Sequence, residues 1–475
     1  MNVLIKILLF LILFTCFSFA SSGQPVVGII GRINLTKTQY NFKDTSKPGL
    51  AWCPYSNKLD SFFNALSTAN QGMGSIAISK NGNLIYSRSI GYEIMNDQKS
   101  VAATPNTKYR IGSITKMFTA VIILQLIEDK KLSLQTTIES YLPNIPYANL
   151  ITIEDLLRHR TGLHHFAKKK FGNDPKTHEE MLAIINRGRP GSLPGLKFDY
   201  NDANYLLLGY IIEKISGKSF ESVVNERIIS KIKLKNAYCG HKTSIENNEC
   251  YSYEFKKIWK QCQLTDMTIA GASGDIVASP TALTQFSDAL FMGKLISDTS
   301  LSLMRSMDNG YGMGMMLFPY HTKNALGHFG SIDGFKSIVA YLPQDSISIA
   351  YSANGVRYPI QSIVMTAFDI YFGKGVPVSE MKFVKVETKH LRKYIGVYSN
   401  QQIPGKIVIY EKDKVLRAEW KEFTSLPLEC IGGNKFRLEA ADLEMEFDAN
   451  RKGVNVYYGN NSYYFLRETN KNLMQ

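Results

Sequence analysis

The sequence predicts an α+β fold: an antiparallel sheet flanked by helices and split by a long helical insert, with an all-β domain at the C-terminus. Three observations lead there. Alternating apolar patterns mark strands near residues 74–91 and again near 325–352, so one sheet draws on distant stretches of chain. The stretch between them carries apolar residues at helical spacing. Beyond residue 390, short alternating segments separated by polar turns replace both patterns.

The elements follow in order. Residues 1–20 read as an export signal: Lys6 precedes the apolar run Ile7 to Phe17, and Ser18-Phe19-Ala20 offers small residues for cleavage. The run is short for a membrane span of roughly 20 residues, so an uncleaved anchor is the lesser alternative to a secreted or periplasmic protein. The main domain is expected over 21–375. In it Gly74–Lys80 and Leu84–Gly91 flank Asn81-Gly82, a strong hairpin signal. Helices are expected over Ile114–Asp129, Ile153–Arg158, Tyr205–Ile215, Phe220–Ile229 and Thr281–Met292. Strands return at Ala325–Phe329, Gly334–Tyr341 and Ser346–Ser352. A linker is expected at 376–389, and 390–475 should form a small antiparallel barrel or sandwich.

Composition narrows the function classes. A chain of 475 residues exceeds what one core usually supports, about 300, and 44% hydrophobic with 20% charged residues is ordinary for a globular protein. The formal charge of +14 comes from scattered lysines, with Lys168-Lys169-Lys170 the one compact run. Outside a cell such a balance suits contact with anionic envelope polymers. Nothing resembles a nucleic-acid motif, so no nucleic-acid partner is expected. Cys16 falls in the export segment. Of Cys53, Cys239, Cys250, Cys262 and Cys430, the middle three are close enough in sequence to offer a disulfide, and an odd total leaves one thiol over. There is no Cys-x-x-Cys and no His/Cys zinc spacing, and His159, His164 and His165 read as structural or solvated. No metal or organic cofactor is called for.

Chemistry is concentrated in four short segments: Gly112 to Lys116, Leu156 to Leu163, Tyr200-Asn201-Asp202 and His328-Phe329-Gly330. Ser-x-x-Lys also occurs at Ser230/Lys233 and Ser379/Lys382, in polar, Lys-rich surroundings. Ser113 differs because it opens a helix that is apolar nearly all round, which predicts burial. Residues i and i+3 share a face, so Lys116 sits beside Ser113 at a helix N-terminus. A buried lysine loses hydration of its charged form, its pKa falls, and it can take the serine proton. Tyr200 precedes an apolar helix; its phenol could shuttle that proton if Lys116 lowers its pKa. Gly330 lets a bound acyl group approach the strand, and the N–H groups of Ser113 and Ser331 could form an oxyanion hole.

These segments resemble the serine β-lactamase and penicillin-recognising D,D-peptidase superfamily, in its class C β-lactamase-like branch. Tyr109 to Lys116 is similar to the branch's nucleophile segment, Leu156 to Leu163 to its Leu-Leu-x-His element, Gly271-Ala272-Ser273-Gly274 to its Gly-rich stretch, and Gly327 to Phe335 to its His-x-Gly strand. Leu391 to Tyr398 resembles the start of a β-rich domain often appended there. The resemblance implies Ser113, Lys116, Tyr200 and His328 as catalytic residues and Asp202, Gly330 and Ser331 around the substrate and oxyanion. Two departures bear on substrate. Asp202 stands where the branch usually has Asn; a carboxylate accepts but cannot donate, and it should hold Lys116 charged and shift base work to Tyr200. His328 stands where many β-lactamases have Lys, so a substrate carboxylate is attracted less.

The sequence therefore implies a secreted serine hydrolase working through an acyl-enzyme on small-molecule or peptide substrates: D-amino-acid peptides, β-lactams or small esters. The alternative is a binding or scaffold protein that keeps the fold with weak or no turnover. An α/β-hydrolase is disfavoured by the lack of any Gly-x-Ser-x-Gly elbow.

Overall fold

The computed structural model describes residues 53–468, apart from 97–98, 166–173, 257, 375–391, 401–405 and short breaks at 413–414, 421–422, 433, 439–442, 449, 451 and 459–460. The expected signal 1–20, linker 376–389 and lysine run 168–170 lie outside the described residues, as does the side chain of Cys430.

Helix α1 (Ser56–Thr68) leads into strands β1 (Gly72–Lys80) and β2 (Asn83–Ile90), joined through Asn81-Gly82. After the helical insert come β3 (Met316–Tyr320), β4 (Lys323–Ile332), β5 (Phe335–Leu342) and β6 (Ile347–Val356). The six strands form one sheet in the order β3-β4-β5-β6-β1-β2. The antiparallel β1–β6 ladder, with Ile76 opposite Tyr351 and Ile78 opposite Ile349, joins the early and late strands. Alternation then assigns the faces. Ile76, Ile78, Ile338, Ile349 and Tyr351 pack with Phe62 and Phe63 of α1 and with Val364 and Phe368 of the helix Ile360–Tyr371. On the opposite face Val339 and Ala350 belong to the core of the helical insert.

That core centres on α2 (Thr115–Glu128), buried from Thr115 through Leu126. A helix with no solvent face must satisfy its polar side chains internally: Thr119 donates to the Ala272 carbonyl at 2.7 Å and Gln125 to the Leu295 carbonyl at 3.0 Å. α3 (Ile153–Leu157) starts with a Thr152/Asp155 capping box, and α4 (Asp202–Ser216) is capped by Asn201 and closed by Gly217 in the left-handed region. The expected helix Phe220–Ile229 is α-helical to Val224 and then opens into a π turn.

α5 (Pro280–Phe291) lies against the sheet, and it buries a carboxylate. Asp288 is 4% exposed, and neither of its oxygens has a well-formed hydrogen bond. Burial pushes its pKa up to about 6. The folded state then binds the proton more tightly than the unfolded chain, so this contribution is present at low pH and is lost as pH rises from about 4 through 6. Asp288→Asn should gain stability over the parent by about 2–3 kcal/mol between those limits. Denaturant melts at pH 4 and pH 7 check this; an equal difference at both would refute it.

The C-terminal region is one nine-stranded antiparallel sheet. Its two edge strands, Phe423–Pro427 and Glu429–Gly432, are separated by Leu428 alone. Two residues reach only about 7 Å, so the sheet must roll until its edges approach, giving a half-barrel. Ile407, Ile409, Phe436, Phe447, Val456 and Phe465 fill it.

The offered disulfide is not formed. Cys53, Cys239, Cys250 and Cys262 are all free thiols. Cys239 ends the edge strand Ala237–Cys239, Cys250 donates to the Lys108 carbonyl at 3.2 Å, and Cys262 lies against Gly334. Closeness in sequence did not become closeness in space.

Candidate active site

The expected catalytic and substrate-side residues converge at one place. A turn of 3-10 helix, Gly112–Ile114, precedes α2 and puts Ser113 at its entrance. Lys116 is fully buried; its Nζ donates to Ser113 Oγ at 3.0 Å, to Asp202 Oδ1 at 2.6 Å and to the Ser273 carbonyl at 2.9 Å. It also lies 5.1 Å from the centre of the Tyr200 ring. The Tyr200 phenol neighbours Ser113, which works to lower its pKa, and Asp202 occupies the first turn of α4, where an anion is favoured.

β4 closes the site from the sheet side. A Cβ at Gly330 would collide with the Ile111 carbonyl and stand 2.9 Å from the Ser113 nitrogen. Gly112, at φ +54°, is equally tight: a Cβ there would come 2.9 Å from the Ser331 nitrogen. Both glycines are required for the nucleophile segment and the strand to touch, and that contact brings Ser331 N–H and Ser113 N–H together.

Electrostatics correct one expectation. Tyr200 is not activated by Lys116; burial, then the Asp202 charge, push its pKa well above the usual phenol value. Desolvation of a phenolate outweighs a nearby ammonium whose field Asp202 cancels. In Lys116 burial acts downward, Asp202 acts upward, and the net is down. These directions favour Lys116 over Tyr200 as the group that can give up its proton and act as a base.

His328 is also enclosed, and burial followed by the Lys116 charge drives it down to about 3. Its Nδ1 lies 2.5 Å from the Phe329 carbonyl, an acceptor only, so Nδ1 carries the proton. Its Nε2 then accepts from the Tyr311 hydroxyl at 3.2 Å. On the other side of Tyr311, His159 Nδ1 receives the Asn201 backbone N–H and the Asn204 amide, both at 3.1 Å. His159 Nε2 must therefore donate to Tyr311, at 3.2 Å. A neutral, fully oriented chain runs from α4 through His159 and Tyr311 to His328. His159 is structural, whereas His164 and His165 are exposed, the latter 2.8 Å from Asp199.

Sequence reasoning missed Tyr311 and the Ser273 carbonyl. A signal existed for the first: Tyr311 opens Tyr-Gly-Met-Gly, and a Cβ at Gly314 would stand 2.7 Å from the Lys116 carbonyl, so this segment lies directly on α2. Tyr311→Phe strands two imidazole nitrogens, and it should cost about 1–3 kcal/mol of stability and about tenfold in kcat through a misplaced His328. Paired denaturation and steady-state kinetics check it; unchanged values for both would remove Tyr311 from any positioning role.

The fold and this constellation define a serine hydrolase. The family model described as Beta-lactamase matches residues 59–361, more than half of the chain, and the chain belongs to that family. It is similar to PbpX of Bacillus subtilis, at 28% identity over 270 residues, covering 55% of this chain and 67% of that one. It is 32% identical over 199 residues to the teichoic acid D-alanine hydrolase of Staphylococcus aureus, spanning 42% of this chain and just 46% of that protein. Among solved structures, the octameric penicillin-binding protein homologue from Pyrococcus abyssi superposes with a TM-score of 0.61 at 25% identity, over 86% of this chain and 99% of that one. Among the described residues no cluster of His, Cys, Asp or Glu could hold a metal ion, and no helix is long and apolar enough to cross a membrane.

Proposed function

We propose that the protein is an exported hydrolase that forms an acyl-enzyme at Ser113 with D-amino-acid esters, amides or peptides. The observation that carries this is Ser113 held between Lys116 and Tyr200, with the Ser113 and Ser331 N–H groups beside it. Lys116 removes the Ser113 proton as Oγ attacks the carbonyl. The two backbone N–H groups hold the oxyanion. Tyr200, protonated, gives its proton to the departing oxygen or nitrogen and recovers one from the Lys116 ammonium, so the Ser113 proton leaves with the leaving group. Water, its proton taken by the neutral Lys116 amine, then attacks the ester carbonyl on Ser113; the acyl–Oγ bond breaks, Oγ is reprotonated and the acid is released.

Similarity to a hydrolase of teichoic acid D-alanine supports a D-aminoacyl substrate. The neutral His328 supports ranking β-lactams, which carry a carboxylate, below esters and amides. The apolar start of the chain supports export to the envelope, where anionic polymers would meet a basic protein.

Intact-protein mass spectrometry after exposure to a fluorophosphonate, and separately to a penicillin, tests the reading. A single fluorophosphonate adduct mapped to Ser113, with slow or no penicillin adduct, is expected. No adduct with either reagent would favour a binding protein that keeps the fold.

A further inference from the structure

We propose that Asp202 forms a subsite for the α-ammonium of the substrate, so that the enzyme selects aminoacyl groups with a free amine over N-acylated or carboxylate-bearing ones. This rests on the acyl-enzyme reading above and names the substrate class of that site.

The argument starts from the orientation of one ion pair. The Lys116 side chain is fully buried, while 26% of the Asp202 side chain is exposed. The cation therefore lies inside and the anion is the solvent-facing member, so an arriving substrate meets the negative end of the pair. The other titratable groups facing the site do not offset this. His328 and His159 are held neutral by burial and by their hydrogen-bonded tautomers, and Tyr200 and Tyr311 stay protonated. Lys116, the cation beside Ser113, is already bound to Ser113, Asp202 and the Ser273 carbonyl.

Reach agrees with charge. Lys116 Nζ hydrogen-bonds both Ser113 Oγ and Asp202 Oδ1, so the carboxylate lies within two hydrogen-bond lengths of the nucleophile. The α-nitrogen of an aminoacyl group on Ser113 is two bonds from the carbonyl carbon, inside that span. A carboxylate has about four acceptor positions, so it can receive an ammonium beside the partners it already holds. An amide in its place would instead present donors, which suit an acylamido carbonyl. The Asp for Asn exchange thus turns the same position from a reader of N-acyl carbonyls into a reader of free amines.

The experiment compares kcat/KM for D-alanine p-nitroanilide and N-acetyl-D-alanine p-nitroanilide in wild type and Asp202→Asn. Wild type should favour the free amine by about tenfold or more near pH 7. That preference should fade above about pH 8, where an α-amine loses its proton. Asp202→Asn should bring the ratio close to one and speed penicillin acylation. A wild-type ratio at or below one, or a ratio unchanged in the variant, overturns the subsite. If turnover is too slow to measure, calorimetric titration of Ser113→Ala with D-alaninamide and N-acetyl-D-alaninamide decides. About tenfold tighter binding of the amine supports the proposal, and equal binding refutes it. Failure of the underlying reading would look different, as loss of any adduct at Ser113.

Discussion

Ser113→Ala should lower kcat/KM on any substrate that wild type turns over by about 10⁴-fold or more, and abolish fluorophosphonate labelling. The size follows from what is removed. Lys116, Tyr200 and the two backbone N–H groups all act on an oxygen that alanine lacks, so none of them retains a covalent route. The small loss leaves packing nearly intact, because Lys116 keeps Asp202 and the Ser273 carbonyl as partners. A variant that folds and yet keeps full activity would place the chemistry elsewhere.

Lys116→Ala should cost about 10³-fold, in the range of general-base catalysis, and pH profiles identify the base. Burial pulls the Lys116 pKa below its usual value and Asp202 pulls it back. The neutral amine accumulates as pH rises, so kcat/KM should climb along an acid limb set by this lysine. Asp202→Asn removes the charge that raises the lysine's pKa, so the limb should move to lower pH. Tyr200 stays protonated throughout, since burial and Asp202 both push it up. Tyr200→Phe should therefore lower the plateau without moving the limb. A limb that ignores Asp202→Asn but shifts with Tyr200→Phe would return the base role to the phenol.

Much of this site is legible in the amino-acid order alone. Ser113 stands apart from Ser230 and Ser379 because the helix it opens has no polar face, and that helix is the buried centre of the insert. The hairpin through Asn81-Gly82 and the return strands carry clear alternation. What escapes has a common cause: it depends on which distant groups meet. The sign of the Tyr200 shift is a balance of burial against two opposite charges, and spacing gives none of the three. Tyr311 is one tyrosine among 26 until the fold sets it between His159 and His328. Ser273 contributes through its backbone oxygen, which side-chain identity cannot report. The helices Ser56–Thr68 and Ile360–Tyr371 escape as well, because their role, covering the outer face of the sheet, emerges only once β1 and β6 are paired.

The β1–β6 ladder also has a temporal consequence. Its two strands are about 270 residues apart in the chain. At a synthesis rate of roughly 5–20 residues per second, β1 waits on the order of 15–50 s for its partner to emerge. Until then the outer-face helices have no complete sheet to cover, and the nucleophile segment has no β4 to rest against. The architecture therefore delays maturation of the catalytic centre until nearly the whole family domain has been made, a natural timer that would suit the exported chain proposed above, which must stay unfolded until it has been threaded through a narrow channel.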